Sequence, residues 1–293
     1  MTFNPNADIG GGKTSKRGRN TGIAIGGGGL GVLAIFLLSQ FLGVDLTGLV
    51  GGTGAQPAAS DSALEECQTG QDANERIDCR MKGASASLED YWQEAGPAIG
   101  LQYVGPQGFV LFDQAVATGC GNASSATGPF YCPPDQTIYV DTTFYDQLES
   151  RFGATGGPLA EMYVVAHEWG HHVQNIAGIL SQSQDGQTGP ASNAVRVELQ
   201  ADCFAGSWAA AASQTEDERG VPFLQPITRE QYAQALDAAA AVGDDRIQEA
   251  TQGQVNPHSF THGTSEQRMR WFETGYEQGA GACDTFSVSP EQL

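Results

Sequence analysis

Apolar residues follow a helical period in the middle of the chain, between Pro158 and Gly178. They recur at intervals of three and four, at Leu159, Met162, Val165, Ala166, Trp169, Val173 and Ile176. Proline at a first helical position and glycine after a last turn are typical helix boundaries. The pattern predicts an amphipathic helix of about twenty residues.

Three further helices are predicted from the residues that cap their N-termini. Ser192 stands directly ahead of a long alanine-rich stretch, and its hydroxyl can accept from the first free backbone amides. Thr228-x-x-Gln231 and Thr264-x-x-Gln267 are capping boxes, which mark two helix starts later in the chain. Helices therefore dominate the second half.

The first half of the folded region is predicted to contain short strands and short helices. Runs of β-branched and aromatic residues predict strands at 109–112 and 137–141. Helices are predicted at 88–98 and 143–152, and the polar stretch 179–190 predicts a loop. The expected fold class is α+β, mainly helical with a small sheet.

The first forty-four residues differ from the rest in charge and hydropathy. Of the net charge of −20, residues 1–44 contribute +3 (four basic, one acidic) and the remainder −23 (ten basic, 33 acidic). Residues 21–44 carry no charge, and as a helix they would reach about 36 Å, enough to cross a hydrocarbon core of about 30 Å. With basic residues before it, we expect one transmembrane helix whose N-terminus is cytoplasmic. A cleaved signal peptide or a glycine-rich helix buried in a soluble core are the alternatives.

The chain is therefore expected to have four parts. These are a cytoplasmic basic segment (1–20), a transmembrane anchor (21–44), a flexible linker (45–63) and one folded domain (64–293). The linker is rich in Gly, Ala, Ser and Pro and shows no apolar period. The strongly acidic domain would repel phosphate backbones, which excludes nucleic acid as a partner.

Six cysteines lie beyond the apolar segment, at Cys67, Cys79, Cys120, Cys132, Cys203 and Cys283. In an extracytoplasmic domain we expect them to form disulfides, for which fifteen pairings are possible. Local spacing favours Cys67–Cys79 and Cys120–Cys132, which would leave Cys203–Cys283.

The first long predicted helix contains the motif H-E-x-x-H, from His167 to His171. Residues four apart on a helix differ by about 40° of rotation, so both imidazoles project from one face and can share one metal ion. We expect that ion to be Zn²⁺. Glu168 is rotated away from the ligand face, and its carboxylate can take a proton from an activated water as general base.

A catalytic zinc site needs a third protein ligand. The metzincin pattern would place glycine and histidine where this chain has Gln174 and Ala177, so that class is excluded. The next long helix offers Glu198 as the ligand, with Asp202 one turn later on the same face. Asp202 would accept a hydrogen bond from the second ring nitrogen of His167.

The remaining histidines are candidates for lesser roles. Hydrolysis of a carbonyl needs a donor for the oxyanion, and His262, His258, Arg268 or a tyrosine can supply it. His172 points about 100° away from His171, so we expect it to pack or face solvent.

Six segments, in this order and spacing, resemble the bacterial membrane-anchored family of putative neutral zinc metallopeptidases. The segments are GPFYCPPDQTIYVD (128–141), RFGATGG (151–157), YVVAHEWGHHVQ (163–174), VELQADCFAGSWA (197–209), SFTHGTSEQRMRWFETGY (259–276) and CDTF (283–286). The resemblance implies zinc at the two motif histidines and Glu198, with Glu168 catalytic. It also favours His262 over His258 and supports the pair Cys203–Cys283.

The resemblance and the motif together predict a zinc endopeptidase acting on protein or peptide substrates. Its domain would lie outside a bacterial inner membrane, held by the single N-terminal helix. The alternatives are a non-catalytic zinc-containing scaffold module and a zinc amidase acting on cell-wall peptides. In proteases of this kind an edge strand pairs with the substrate backbone, and 137–141 is the predicted strand. The sequence predicts neither the cleavage specificity nor the oligomeric state.

Overall fold

The computed structural model describes residues 2–17 and 62–293, with the side chains of 62 and 63 left undescribed. Helices account for about half of this part of the chain. They are α1 (Ser62–Glu65), α2 (Gly70–Glu75), α3 (Ile77–Ala98), α4 (Phe144–Ser150), α5 (Pro158–Ile176), α6 (Ile179–Ser183), α7 (Asn193–Ala211), α8 (Arg229–Ala241), α9 (Asp244–Gln252) and α10 (Ser265–Gln278). Short 3₁₀ turns span Pro257–Ser259 and Ala280–Ala282.

A four-stranded sheet and a separate hairpin complete the α+β fold. The strands are β1 (Thr14–Arg17), β2 (Gly108–Phe112), β3 (Ala115–Thr118), β4 (Gly121–Ser124), β5 (Phe130–Cys132) and β6 (Thr137–Asp141). The sheet order is β1-β2-β6-β5, and only β5 is antiparallel to its neighbour. Strands β3 and β4 form the hairpin.

Helix α7 is buried along almost its whole length, and glycines allow α10 to pack on it at close range. A Cβ at Gly206 would lie 1.9 Å from the carbonyl oxygen of Phe272, and one at Gly275 would lie 1.8 Å from that of Cys203. Only a residue without a side chain permits such backbone contact. The contact fixes the position of α10 beside the acidic residues of α7.

The predicted class, long helices and caps agree with this fold. The amphipathic pattern from Pro158 forms α5, and both predicted capping boxes are present with both of their hydrogen bonds. The helix predicted at 88–98 is the last part of α3, which starts at Ile77. Strand 137–141 forms as β6 but lies inside the sheet, so its predicted role as an edge strand is wrong. The edge beside β6 is formed by β5, which we did not predict.

The transmembrane helix predicted ahead of the domain requires correction. Among residues 2–17 and 62–293, no helix is both long and apolar enough to cross a membrane. The predicted span 21–44 itself lies outside the described residues. The basic end also differs from expectation, since residues 2–17 pack on the domain and β1 pairs with β2. The folded body therefore includes residues 2–17 as well as 62–293.

Three disulfides link the cysteines as the local spacing and the resemblance predicted. The pairs are Cys67–Cys79, Cys120–Cys132 and Cys203–Cys283. The second ties the β3–β4 hairpin to the end of β5, and the third ties α7 to the segment after α10. All six cysteines are thus paired.

Candidate metal centre

Helices α5 and α7 bring three ligand side chains together in the lining of one cavity. His167 Nε2 lies 3.2 Å from Glu198 Oε2, and His171 Nε2 lies 3.5 Å from Glu198 Oε1. Among the described residues, the ligand atoms of these three side chains lie within 4.8 Å of one another. A second such group, Cys67, Asp78 and Cys79, has both of its sulfurs in a disulfide.

The separations fit a tetrahedral zinc site. Ligands bonded to zinc at about 2.0–2.1 Å in tetrahedral geometry lie about 3.3 Å from one another. The observed separations, 3.2 and 3.5 Å, bracket that value. Two imidazoles and a carboxylate are also one of the donor sets that hold zinc in catalytic sites. The residues present therefore fit a zinc ion held by His167, His171 and Glu198.

Hydrogen bonds to the second ring nitrogen set the tautomer of His167. Its Nδ1 lies 2.8 Å from Oδ1 of Asp202, and an N–H there leaves Nε2 as a free donor to a metal. Arg268 holds the same carboxylate through Nε and Nη2, at 2.8 and 2.9 Å. The hydroxyl of Tyr163 also donates to Asp202 Oδ1, at 2.5 Å. These buried groups orient the histidine rigidly.

Gln174 orients the ring of His171 in a similar way, through a hydrogen bond to the second ring nitrogen. Its Oε1 accepts from His171 Nδ1 at 2.9 Å, and its amide donates to the carbonyl of Val197 at 2.7 Å and to Gln200 at 3.1 Å. The side-chain amide of Gln174 is thereby fixed with its oxygen toward the histidine. Both metal-facing Nε2 atoms are thus presented by hydrogen bonds on the opposite side of the ring.

Glu168 borders the same cavity and is almost fully buried. Burial raises the pKa of its carboxyl by more than the nearby His171 and His167 lower it. The backbone of Tyr131 in strand β5 lies near the carboxylate and favours its ionised form, which opposes part of the rise in pKa. A carboxyl held in this way can exchange a proton with a group in the cavity.

The phenol of Tyr131 is itself held by two residues of α5. Its hydroxyl lies 3.1 Å from His172 Nδ1, and Asn175 Nδ2 donates to it at 2.9 Å. His172 Nε2 in turn lies 2.7 Å from the carbonyl of Val104. His172 therefore packs inside the protein, as expected, and its hydrogen bond to Tyr131 joins β5 to the helix that carries the motif.

His262 also lines the cavity, whereas His258 lies on the surface. His262 Nδ1 is 3.2 Å from Oδ1 of Asp244, the first residue of α9. The other carboxylate oxygen of Asp244 accepts three successive backbone amides, those of Thr261, His262 and Gly263. This arrangement fixes the loop before α10 and holds the ring of His262 at the cavity wall.

Opposite charges in the centre stabilise one another's ionised forms. Burial opposes ionisation of Glu198, but His171 and His262 outweigh it and lower the pKa of its carboxyl. Burial alone would lower the pKa of His167, but Asp202 outweighs it and raises that pKa to about 10. In the metal-free protein the centre therefore holds a proton that a bound metal must displace.

The cavity has a volume of about 140 Å³ and extends from the three ligands into an apolar chamber. The chamber is lined by Phe144, Phe152, Val164, Leu180, Val242 and Ile247. Strand β5 and the residues just before it, 127–129, form another wall.

Several residues of the centre were not identified from the sequence. Arg268 was considered as an oxyanion donor, but it is paired with Asp202 behind His167. Tyr131, Gln174 and Asp244 were not singled out as site residues. Tyr131 and Asp244 act through contacts between distant parts of the chain, which no local pattern marks in a single sequence. Gln174 lies only three residues from His171 on the same helix, but its orientation depends on contacts with α7 that the sequence does not show.

Comparison with known proteins gives a family and relatives. A family model described as "Putative neutral zinc metallopeptidase" matches residues 4–286. An uncharacterized protein of Mycobacterium tuberculosis is 50% identical over 228 residues, which cover 77% of this chain and 76% of that protein. The uncharacterized protein YpfJ of Escherichia coli K12 is 40% identical over 270 residues, covering 90% of this chain and 88% of YpfJ. No solved structure matches the chain significantly.

The family name implies zinc as the metal and peptide hydrolysis as the reaction, in agreement with the donor set described above. With 283 of its residues, 4–286, inside the match, the chain belongs to the family described as "Putative neutral zinc metallopeptidase".

Proposed function

We propose that the protein is a zinc-dependent endopeptidase that acts outside the cytoplasm. The observation that carries the proposal is the convergence of His167, His171 and Glu198 with Glu168 in one cavity. A purely structural zinc site would have no use for a buried carboxyl beside the ligands. Zinc, when bound, supplies Lewis-acid chemistry that polarises a carbonyl and makes water more acidic.

The protein's own residues would carry the proton transfers. Glu168 takes a proton from the attacking water and delivers it to the leaving amine, a role that suits its raised pKa. His262, oriented by Asp244, donates from Nε2 to the carbonyl oxygen as negative charge develops there. Asp202 and Gln174 hold the two histidine ligands in the tautomer that binds metal.

The substrate would bind in extended form along β5. Among the strands in residues 2–17 and 62–293, β5 pairs with β6 alone, and it lies at the cavity wall with Glu168. Backbone pairing at such an edge gives affinity without sequence preference, while a side-chain pocket gives specificity. The apolar chamber therefore favours a large apolar residue next to the scissile bond.

The three disulfides support a location in an oxidising compartment. Disulfides persist in secreted and periplasmic proteins and are rare in reducing cytosol. The compartment can be tested by trapping free thiols in intact cells before lysis. Six unreactive cysteines support the proposal, and reactive ones contradict it.

The decisive experiment is hydrolysis of a peptide library by wild-type protein, with and without a chelator, and by Glu168→Gln. General-base residues typically contribute about 10²–10⁴-fold to rate. We expect the variant to bind zinc as tightly as wild type and to lose turnover by that factor. Glu94→Gln, an exposed carboxyl on α3, is the matched control and should be fully active.

The outcomes separate the proposal from its rivals. Normal hydrolysis by Glu168→Gln would contradict the assignment of the base. Zinc binding by wild type without any chelator-sensitive cleavage would favour a scaffold role. Cleavage confined to cell-wall peptides would indicate an amidase with the same reaction centre.

A further inference from the structure

Residues 2–17, here called the N-terminal arm, bury apolar side chains in the domain. Phe3, Ala7 and Ile9 are completely inaccessible to solvent. Residues 18–61 separate the arm from α1 in the chain, so these contacts are not a consequence of sequence proximity. The arm makes a turn at residues 4–7 and buries the apolar side chains on both sides of that turn, so it occupies a groove shaped to receive it.

Backbone pairing fixes the register of the arm at two antiparallel bridges. Phe3 stands opposite Leu224 and Asp8 stands opposite Thr69. Around the second bridge, the amide of Ile9 donates to the carbonyl of Gln68 at 3.0 Å, and the amide of Gly70 donates to that of Ala7 at 2.8 Å. Farther along, β1 adds to the edge of β2 as a parallel strand. Shifting the arm by one residue would turn its buried side chains outward.

Two glycines of the domain make room for the arm. A Cβ at Gly83, in the interior of α3, would lie 2.7 Å from the ring of Phe3 and 3.2 Å from Ile9. A Cβ at Gly70 would lie 1.9 Å from the carbonyl oxygen of Asn4. Glycine in a helix interior costs about 1 kcal/mol relative to alanine. Its presence at Gly83 is explained by the space that the arm requires.

The basic residues of the arm also have partners on the acidic domain. Lys16 Nζ lies 3.1 Å from a carboxylate oxygen of Asp78. Arg17 donates to the carbonyl of Ala117 at 3.0 Å and lies over the ring of Tyr139. Charge therefore favours the same docking that shape and backbone pairing define.

We propose that the N-terminal arm is recognised by this groove on the domain of its own chain, and that arm and domain share one compartment. The inference does not depend on the proposed function. A single membrane crossing between residues 17 and 62 would separate the arm from its groove. Docking therefore places both on the same side of any membrane, which reverses the cytoplasmic location expected for the basic end.

The test is a disulfide between arm and groove, engineered at the bridge pair Asp8 and Thr69. Pairs with this hydrogen-bond pattern have Cα atoms about 4.5 Å apart, a separation that disulfides accept. The full chain carrying Asp8→Cys and Thr69→Cys is expressed in its native host, and free thiols are then counted with a mass-tagged maleimide on non-reducing gels. The control combines Asp8→Cys with Gln187→Cys, an exposed residue in the loop after α6.

We expect the variant with Asp8→Cys and Thr69→Cys, the bridge variant, to run as a monomer with no free thiol. The control should retain both of its engineered thiols in the free form. Free thiols at both positions of the bridge variant would overturn the proposal. Disulfide-linked dimers would overturn its intramolecular form, because the arm of a second copy would then fill the groove.

A change in the groove provides a second measurement. Adding Gly83→Leu to the bridge variant should expel Phe3 and expose both engineered thiols, while the six native cysteines stay paired. If the native cysteines also react, the fold has opened, and Gly83→Ala replaces it as the milder variant. An undiminished cross-link in the presence of either substitution would contradict the docking of Phe3 over Gly83.

Discussion

Gly170 sets the distance between the two helices that carry the metal ligands. It lies on α5 between His167 and His171, and a Cβ there would be 2.9 Å from Cα and 3.2 Å from the carbonyl oxygen of Ala201 on α7. Ala201 in turn lies between Glu198 and the next acidic residue of its helix. The absence of a side chain thus allows the glutamate to reach both histidines.

Replacing Gly170 with alanine should damage the metal centre more than the fold. Carbon atoms in ordinary contact lie about 3.5–4.0 Å apart, so the helices must separate by at least about 0.6 Å. Metal sites tolerate errors of about 0.2 Å in ligand distance. We expect zinc affinity to fall about 10–100-fold, or about 1.4–2.7 kcal/mol. Overpacking costs about 1–3 kcal/mol of stability, whereas the higher helix propensity of alanine contributes about 1 kcal/mol. The protein should therefore remain folded.

The assay is competition for zinc against a coloured chelator, together with thermal unfolding of the metal-free protein. Gly83→Ala is the matched control, because it crowds Phe3 in another helix interior by a similar contact of 2.7 Å. We expect both variants to lose similar stability and only Gly170→Ala to lose zinc affinity. A zinc affinity within about twofold of wild type would refute the reasoning, since the change would then leave the ligand spacing intact.

Three further substitutions test other parts of the centre. Asp202→Asn should lower zinc affinity by about 10–100-fold, as chelator competition would measure. It should also destabilise the protein by about 3–5 kcal/mol in a denaturant titration, because the buried Arg268 loses its counter-ion. Tyr131→Phe removes the link from β5 to His172 and should raise KM for peptides several-fold with zinc content unchanged, as measured by steady-state kinetics; an unaltered KM would contradict the role of this strand in substrate binding. Ile247→Trp should narrow the apolar chamber and shift the preference at the scissile bond to a smaller residue, by about tenfold in kcat/KM. Library profiling would detect this shift, and Val255→Trp, at an exposed position, is the control that should not produce it.

The centre is coupled to the fold through contacts that lie outside the motif. The motif histidines take their orientation from Asp202 and Gln174, and the carboxyl of Glu168 lies near the backbone of Tyr131 in β5. These residues come from different elements, so a change in the sheet or in α10 can alter the centre without touching a ligand. Substitutions at such supporting residues typically cost about 10–100-fold in metal affinity or activity.

Local patterns determined the helices, their caps and the core of the metal centre. A helix of 3.6 residues per turn places residues four apart on one face, so H-E-x-x-H by itself orients His167 and His171 together. Glu198 and Asp202 follow the same rule on α7. Short sequence separation likewise favoured Cys67–Cys79 and Cys120–Cys132, since closing a short loop is easy in any fold.

Only the tertiary structure decided which distant segments meet. The strand 137–141 is identical in pattern whether it lies at the edge or inside the sheet, and the pairing of β5 made it internal. The first residues were charged and polar enough to suggest a separate end, yet Phe3 and Ile9 fill a groove beside Gly83. The hydrophobic period of a helix and its capping residues depend on neighbours in the sequence. The order of strands and the docking of the N-terminal arm depend on burial and register across the whole chain.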